Sequence, residues 1–166
     1  MKQFLLILFL FPIFLFPQTG IKTIFNKHNS PFKEQTITCV KTDQSGLNWI
    51  GTLKGLFYFN GNKWIKLTTK NSELPSSKVL CMEIEKEKTY IGTDNGLLII
   101  NNNNWEIYNI QNSNLPSNKI RKIKIDNNNI AWLATSKGLV KYNKEFENVL
   151  SSEKTGIKND DFISLN

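Results

Sequence analysis

The sequence predicts an all-β chain of β-propeller blades, each a four-stranded antiparallel sheet, with about three and a half repeats and so an incomplete propeller. Three observations carry that prediction. The block Trp49-Ile50-Gly51-Thr52-Leu53-Lys54-Gly55-Leu56 returns as Tyr90-Ile91-Gly92-Thr93-Asp94-Asn95-Gly96-Leu97 and again as Trp132-Leu133-Ala134-Thr135-Ser136-Lys137-Gly138-Leu139. From Gly51 to Gly92 to Ala134 the steps are 41 and 42 residues, and Trp64, Trp105 and Phe146 follow one another at intervals of 41. Asn71-Ser72-Glu73-Leu74-Pro75-Ser76 is echoed by Asn112-Ser113-Asn114-Leu115-Pro116-Ser117, with weaker traces at Asn29-Ser30-Pro31 and Thr155-Gly156-Ile157-Lys158. Landmarks in phase over two periods near forty, punctuated by Gly and aromatics, suit a propeller blade.

The middle repeat shows the four strands in order. Val79 to Glu85 carries apolar residues at Val79, Met82 and Ile84, close to the two-residue alternation of a half-buried strand. Thr89 to Thr93 is a second short strand. Asp94-Asn95-Gly96 is a tight-turn signal, because Asn and Gly tolerate positive φ. Leu97 to Ile100 is the third strand, Asn101 to Asn104 turns the chain as Asn60-Gly61-Asn62 does one repeat earlier, and Trp105 to Tyr108 is the fourth. Leu115-Pro116 falls in the connection to the next blade, where Pro removes no ladder donor. The repeat cores lie near 37–77, 78–118 and 119–160 of a domain spanning 21–166, and no window shows a helical period.

The residues that recur have packing reasons. Gly51 and Gly92 sit inside strands, where Gly marks close backbone approach, and Ala134 is the next smallest choice. Gly55, Gly96 and Gly138 close the turns. Trp49, Tyr90 and Trp132 are flat fillers between neighbouring blades; the alternative is a ladder of rings that stacks on sugars. Trp64, Trp105 and Phe146 mark the outer strand.

The first twenty residues read as a secretory signal peptide. Lys2 is followed by an apolar run from Phe4 to Phe16 and a polar exit at Pro17-Gln18-Thr19-Gly20. The alternative, a membrane-spanning helix, needs about twenty apolar residues, and this run is shorter and contains Pro12. The expectation is a periplasmic or secreted chain with no stable membrane anchor after cleavage. The net charge of +7 comes almost wholly from lysines scattered along the chain, with Arg121 the only arginine, so a solvated basic surface is expected and no nucleic-acid partner. Cys39 and Cys81 occupy matching positions of successive repeats, too far apart for a disulfide, and are expected to be free thiols.

The sequence offers no catalytic constellation. His28 is the only histidine and lies in a polar stretch. No zinc spacing, nucleophile elbow or phosphate-binding Gly loop occurs. Asp43-Gln44-Ser45-Gly46 and Asp126-Asn127-Asn128-Asn129 lack the ligand series of a calcium loop and read as hairpin turns leading into the Trp49 and Trp132 strands. Glu83 and Glu85 share a strand face, but their counterparts are Lys124 and Asp126, so no carboxylate pair repeats. Neither an enzyme nor a cofactor is expected.

The pattern Trp-Ile-Gly-Thr-x-x-Gly-Leu, then Asn-Gly-x-x-Trp, then Asn-Ser-x-Leu-Pro-Ser is similar to the two-component regulator propeller repeat, over roughly residues 29 to 162. In that family such repeats build seven-bladed propellers, often in tandem, that sit outside the cytoplasm ahead of a membrane helix and a histidine kinase. The resemblance implies an extracytoplasmic ligand-sensing module, and a carbohydrate ligand by resemblance only. Another propeller, the streptogramin lyase, hosts catalysis on this architecture, but its His and acid constellation is absent from this sequence. The chain carries no second membrane segment, immunoglobulin-like linker or kinase region, so a fragment of a longer sensor is the first expectation. The others are ring closure by self-association through open blade edges, and an open array docked on a partner. The alternative function is a secreted structural or adhesive interaction protein.

Overall fold

The computed structural model describes residues 30–32 and 35–151. The expected signal peptide (1–20), His28 and the final echo of the repeat lie outside them. Among the described residues there are twelve strands and no helix, hence none long and apolar enough to cross a membrane. Blade one contains β1 (Ile37–Thr42), β2 (Asn48–Thr52), β3 (Gly55–Phe59) and β4 (Trp64–Leu67). Blade two contains β5 (Val79–Glu85), β6 (Lys88–Thr93), β7 (Gly96–Asn101) and β8 (Asn104–Tyr108). Blade three contains β9 (Ile120–Ile125), β10 (Ala131–Thr135), β11 (Gly138–Asn143) and β12 (Glu145–Ser151). Each set forms one antiparallel sheet in chain order.

The blades stack through the alternate faces of their strands. In blade two, Ile91, Leu98 and Ile100 point toward blade one and meet Leu56 and Leu74, while Tyr90, Leu97 and Ile99 point toward blade three and meet Ile120, Leu133 and Val140. Because both faces are covered, β6 and β7 are buried along nearly their whole length, which explains why Leu97 to Ile100 is uninterrupted in apolar residues. Each such side chain contributes about 1.5–3 kcal/mol relative to exposure. The first strands adjoin, β1 against β5 and β5 against β9, and Thr38 Oγ1 donates to the Val79 carbonyl across the first of these seams at 2.9 Å.

The interior glycines belong to this seam. A Cβ on Gly51 would lie 2.4 Å from Cys39 Sγ and 2.8 Å from Val79 Cγ1. On Gly92 it would lie 2.5 Å from Cys81 Sγ and 2.9 Å from Ile120 Cγ2. Glycine therefore makes room both for the thiol on the paired strand and for the first residue of the next blade. In blade three the pair opposite one another is Ala134 and Lys122, so a methyl group appears where the facing residue is no longer cysteine.

Candidate functional site

The motif residues turn out to build the frame. In all three blades a buried Thr at the end of the second strand donates to the carbonyl of the following Gly at 2.8 Å: Thr52 to Gly55, Thr93 to Gly96, Thr135 to Gly138. The same hydroxyl accepts the amide of the residue before that Gly, from Lys54, Asn95 and Lys137. These glycines have φ between 125° and 145°. A Cβ on Gly96 would also fall 2.5 Å from the Tyr108 carbonyl oxygen. The positive φ that Asp94-Asn95-Gly96 requires thus falls on the glycine alone. Asn71 and Asn112 each bridge their loop, donating to the carbonyls of Lys66 and Ile107 at 2.9 Å, while Leu74 and Leu115 plug the blade interfaces. Trp64 meets Phe32 edge-to-face with ring centroids 4.8 Å apart, Trp105 packs beside Ile100 in the first interblade core, and Phe146 meets Tyr142 at 4.6 Å in the second.

Chemistry has to be sought where the repeat breaks, and it breaks at the hairpin joining the first two strands of each blade. In blades one and three that hairpin has five residues, 43–47 and 126–130; in blade two Glu85 pairs with Lys88 and only Lys86 and Glu87 turn. The long loops are built on an aspartate. Asp43 Oδ1 accepts the amides of Ser45 and Leu47, each at 3.0 Å, and Oδ2 accepts the Trp49 indole N–H at 3.0 Å. Asp126 repeats this with Asn128, Ile130 and Trp132 at 2.9, 3.0 and 2.9 Å. The indole of Trp132 and the amide of Ile130 lead in holding the Asp126 carboxyl below its ordinary range. For Asp43 desolvation pulls upward, but the hydrogen bonds from Ser45, Trp49 and Leu47 outweigh it and the carboxyl is again held low.

Between these two raised loops the short hairpin leaves a depression. A cavity of about 660 Å³ opens there, with Gln44 and Asn129 on its flanks, Tyr90 and Asn101 from the strands, and Glu85 to Lys88 from the short hairpin. A second recess of about 260 Å³ adjoins it through the shared Gln44, Lys86 and Glu87. Two lysines face two glutamates in the larger cavity, so its charge balances, and the remaining lining offers amide donors and acceptors. Burial first, then electrostatic coupling to Tyr142, Glu85 and Glu106, pushes the Tyr90 phenol up, so it stays a protonated hydroxyl at neutral pH. Lys86 and Asn129 hold φ of 54° and 61°, a conformation that costs Lys more than Asn. This lining suits a neutral ligand with several hydroxyl groups.

Of the sequence-predicted aromatics, Tyr90 lines the cavity while buried in the core between blades two and three; Trp49 is half-buried, packs on the first interblade core and stacks with Tyr58 at 4.9 Å; Trp132 is half-buried beside its aspartate. No ladder of three stacked rings forms among them. Cys39 and Cys81 are free, and burial pushes both thiols up, so both are protonated and unreactive at neutral pH. Among the described residues no group of three or more His, Cys, Asp or Glu is placed to hold a metal ion.

Neither a family model nor a curated protein sequence matches the chain. Among solved structures it is similar to the extracellular domain of the putative hybrid two component system BT3049 from B. thetaiotaomicron, at 25% identity and a TM-score of 0.64, over 78% of this chain and 18% of that one. The chain is similar to a two-component sensor propeller. Two further neighbours share the architecture. Virginiamycin B lyase from Staphylococcus aureus, solved with quinupristin, is 12% identical at a TM-score of 0.57, over 71% of this chain and 42% of that one. PorZ, a bacterial surface component of the type-IX secretion system of Porphyromonas gingivalis, is 13% identical at 0.56, over 75% and 22%. At those identities the likeness is one of fold alone. The chain spans 18% of the BT3049 domain, 42% of the lyase and 22% of PorZ, so what those whole proteins do is not carried by these three blades.

Proposed function

We propose that this chain is an exported ligand-binding module of the two-component sensor type, and that it takes a neutral polyhydroxylated ligand, a carbohydrate, in the depression over blade two. The observation that carries the reading is the short Lys86-Glu87 hairpin set between two Asp-braced loops, which makes a charge-balanced, amide-lined cavity of sugar size. The similarity to an extracellular domain of a putative hybrid two-component system supports the sensing role and the export that residues 1–20 suggest. No bond is made or broken in this reading; the module's output is a change in what its blades contact.

The test uses the mature isotope-labelled chain titrated with gluco-, galacto- and xylo-oligosaccharides. A binding sugar is expected to shift the amide signals of Gln44, Lys86, Glu87 and Asn129, and Gln44→Ala with Asn129→Ala is expected to weaken it at least tenfold. A panel that leaves these signals unmoved, or that moves signals elsewhere on the blades, overturns the reading.

A further inference from the structure

Lysines that read as scattered along the sequence are gathered by the fold. The first strands of the three blades lie side by side, and a groove of about 360 Å³ crosses them, remote in residue content from the depression over blade two. Its charged lining is Lys41 from β1, Glu83 from β5, and Arg121, Lys122 and Lys124 from β9. Glu83 is engaged by Lys41 at 2.7 Å, and both side chains are partly withdrawn from water, with 17% and 36% of their surfaces exposed. Lys41 is spent on Glu83, so among the described residues the positive excess of the groove rests on Lys122 and Lys124 of β9.

Register explains why. Cys39 pairs with Gly51 and Cys81 with Gly92, but at the same place in blade three Lys122 pairs with Ala134. One rung on, Lys41 and Glu83 are followed by Lys124, opposite Trp132. Lys122 and Lys124 are alternate residues of one strand, so both project to one face about 7 Å apart along it. Blades one and two meet the groove with neutral thiols and a closed ion pair. Blade three meets it with two like charges whose repulsion an anion between them would relieve. A concave, partly desolvated setting strengthens that attraction relative to open solvent.

We propose that this groove binds a small oxyanion, a sulfate, a phosphate or the carboxylate of a sugar acid, between Lys122 and Lys124, with the Lys41–Glu83 pair forming the opposite wall. The groove's volume is at the small end for ligand sites, which suits a single charged group or one sugar-acid ring rather than a polymer. The site is independent of the neutral one and survives if that reading fails.

The experiment titrates the mature chain with sodium sulfate, sodium phosphate and galacturonate. Galactose serves as the neutral counterpart and sodium chloride matches ionic strength. Saturable shifts in the amides of residues 120–125 are expected with the oxyanions and not with chloride or galactose. Lys122→Gln with Lys124→Gln should weaken binding at least tenfold, and Glu83→Gln should tighten it. Response to galacturonate alone identifies a sugar-acid site, and response to all three a general oxyanion site; both support the proposal. Shifts that never saturate, that chloride reproduces, or that persist unchanged in the variants overturn it. Lys124 is exposed, so Lys124→Gln alone supplies the readout if the double variant does not fold.

Discussion

Blade two and its neighbours share one strand frame and differ in one hairpin. Where the hairpin has five residues, an aspartate sits at its start and a tryptophan at the second position of the next strand, and the carboxylate receives the indole N–H. Where it has two residues, glutamate replaces the aspartate, tyrosine replaces the tryptophan, and the ring moves into the core. Loop length and aromatic type change together because an indole near the surface needs an acceptor that only the longer loop can place. The difference teaches where function can lie. Residues that recur in register are consumed by the frame, and the cavity opens where the recurrence lapses.

The largest expected effect tests how closely the frames correspond. Gly92→Ala in blade two forces a methyl against Cys81 Sγ and Ile120, and is expected to cost about 1–3 kcal/mol by overpacking, more than a strand gains from replacing glycine. Blade three already tolerates Ala134 because Lys122, not cysteine, faces it. Cys81→Ala should therefore recover part of the loss, with a coupling of about 0.5–3 kcal/mol in a double-mutant cycle followed by urea denaturation. Strict additivity would show that the thiol is not what excludes the methyl, and the comparison of the two blades would fail at this point.

That pairing also marks what the sequence could reveal. The middle blade's strands were legible to within a residue: Val79 to Glu85 by alternation, the others by turns of Asn and Gly, and the structure extends them only by Lys88, Gly96, Asn101 and Asn104. The small residue at 51, 92 and 134 was legible as a close approach. The partner that demands it was not, because Cys39 and Cys81 reach their glycines across a ladder. Thr52, Thr93 and Thr135 recur as plainly as the glycines, yet their hydroxyl bridges across the turn appear only in three dimensions. The aspartate loops read as simple turns because the donors to their carboxylates are backbone amides and an indole, which leave no ligand spacing to notice. The groove was illegible for a different reason: its charges sit on strands about 41 residues apart, and a scattered set of lysines becomes a cluster only when blades stack.

A middle-sized effect is expected in the long loop. Asp43→Ala removes the acceptor for two amides, the Ser45 hydroxyl and the Trp49 indole, and should cost about 1–2 kcal/mol, limited by the loop's exposure. The same bonds set a pH dependence. The folded carboxyl is held below its ordinary value of 3.8, so its stabilisation is complete above that value and is lost as pH falls through the lower folded one. The Trp49 indole N–H signal should therefore hold its position through pH 5 and move only below about pH 4. Movement centred above pH 4 would mean that the carboxylate does not hold the ring. Blade two, which has no such aspartate, should show no matching transition at Tyr90.

The smallest effect separates stability from use. Lys86 carries φ of 54° in the two-residue hairpin, where a side chain costs about 1–2 kcal/mol and glycine gives back about 0.5–1 kcal/mol of chain entropy. Lys86→Gly is therefore expected to stabilise the chain by less than about 1 kcal/mol, read as a raised urea midpoint. The flanking loops supply the control. Gly46 has φ of 84° with open space around it, and blade three holds Asn129 at the same step after its aspartate, so Gly46→Asn should be close to neutral. If Lys86→Gly raises stability while removing the response to sugar, the strained lysine is retained for what it touches in the depression. If it lowers stability, the hairpin is held by contacts of the lysine itself, and the short turn is part of the frame like the residues that recur.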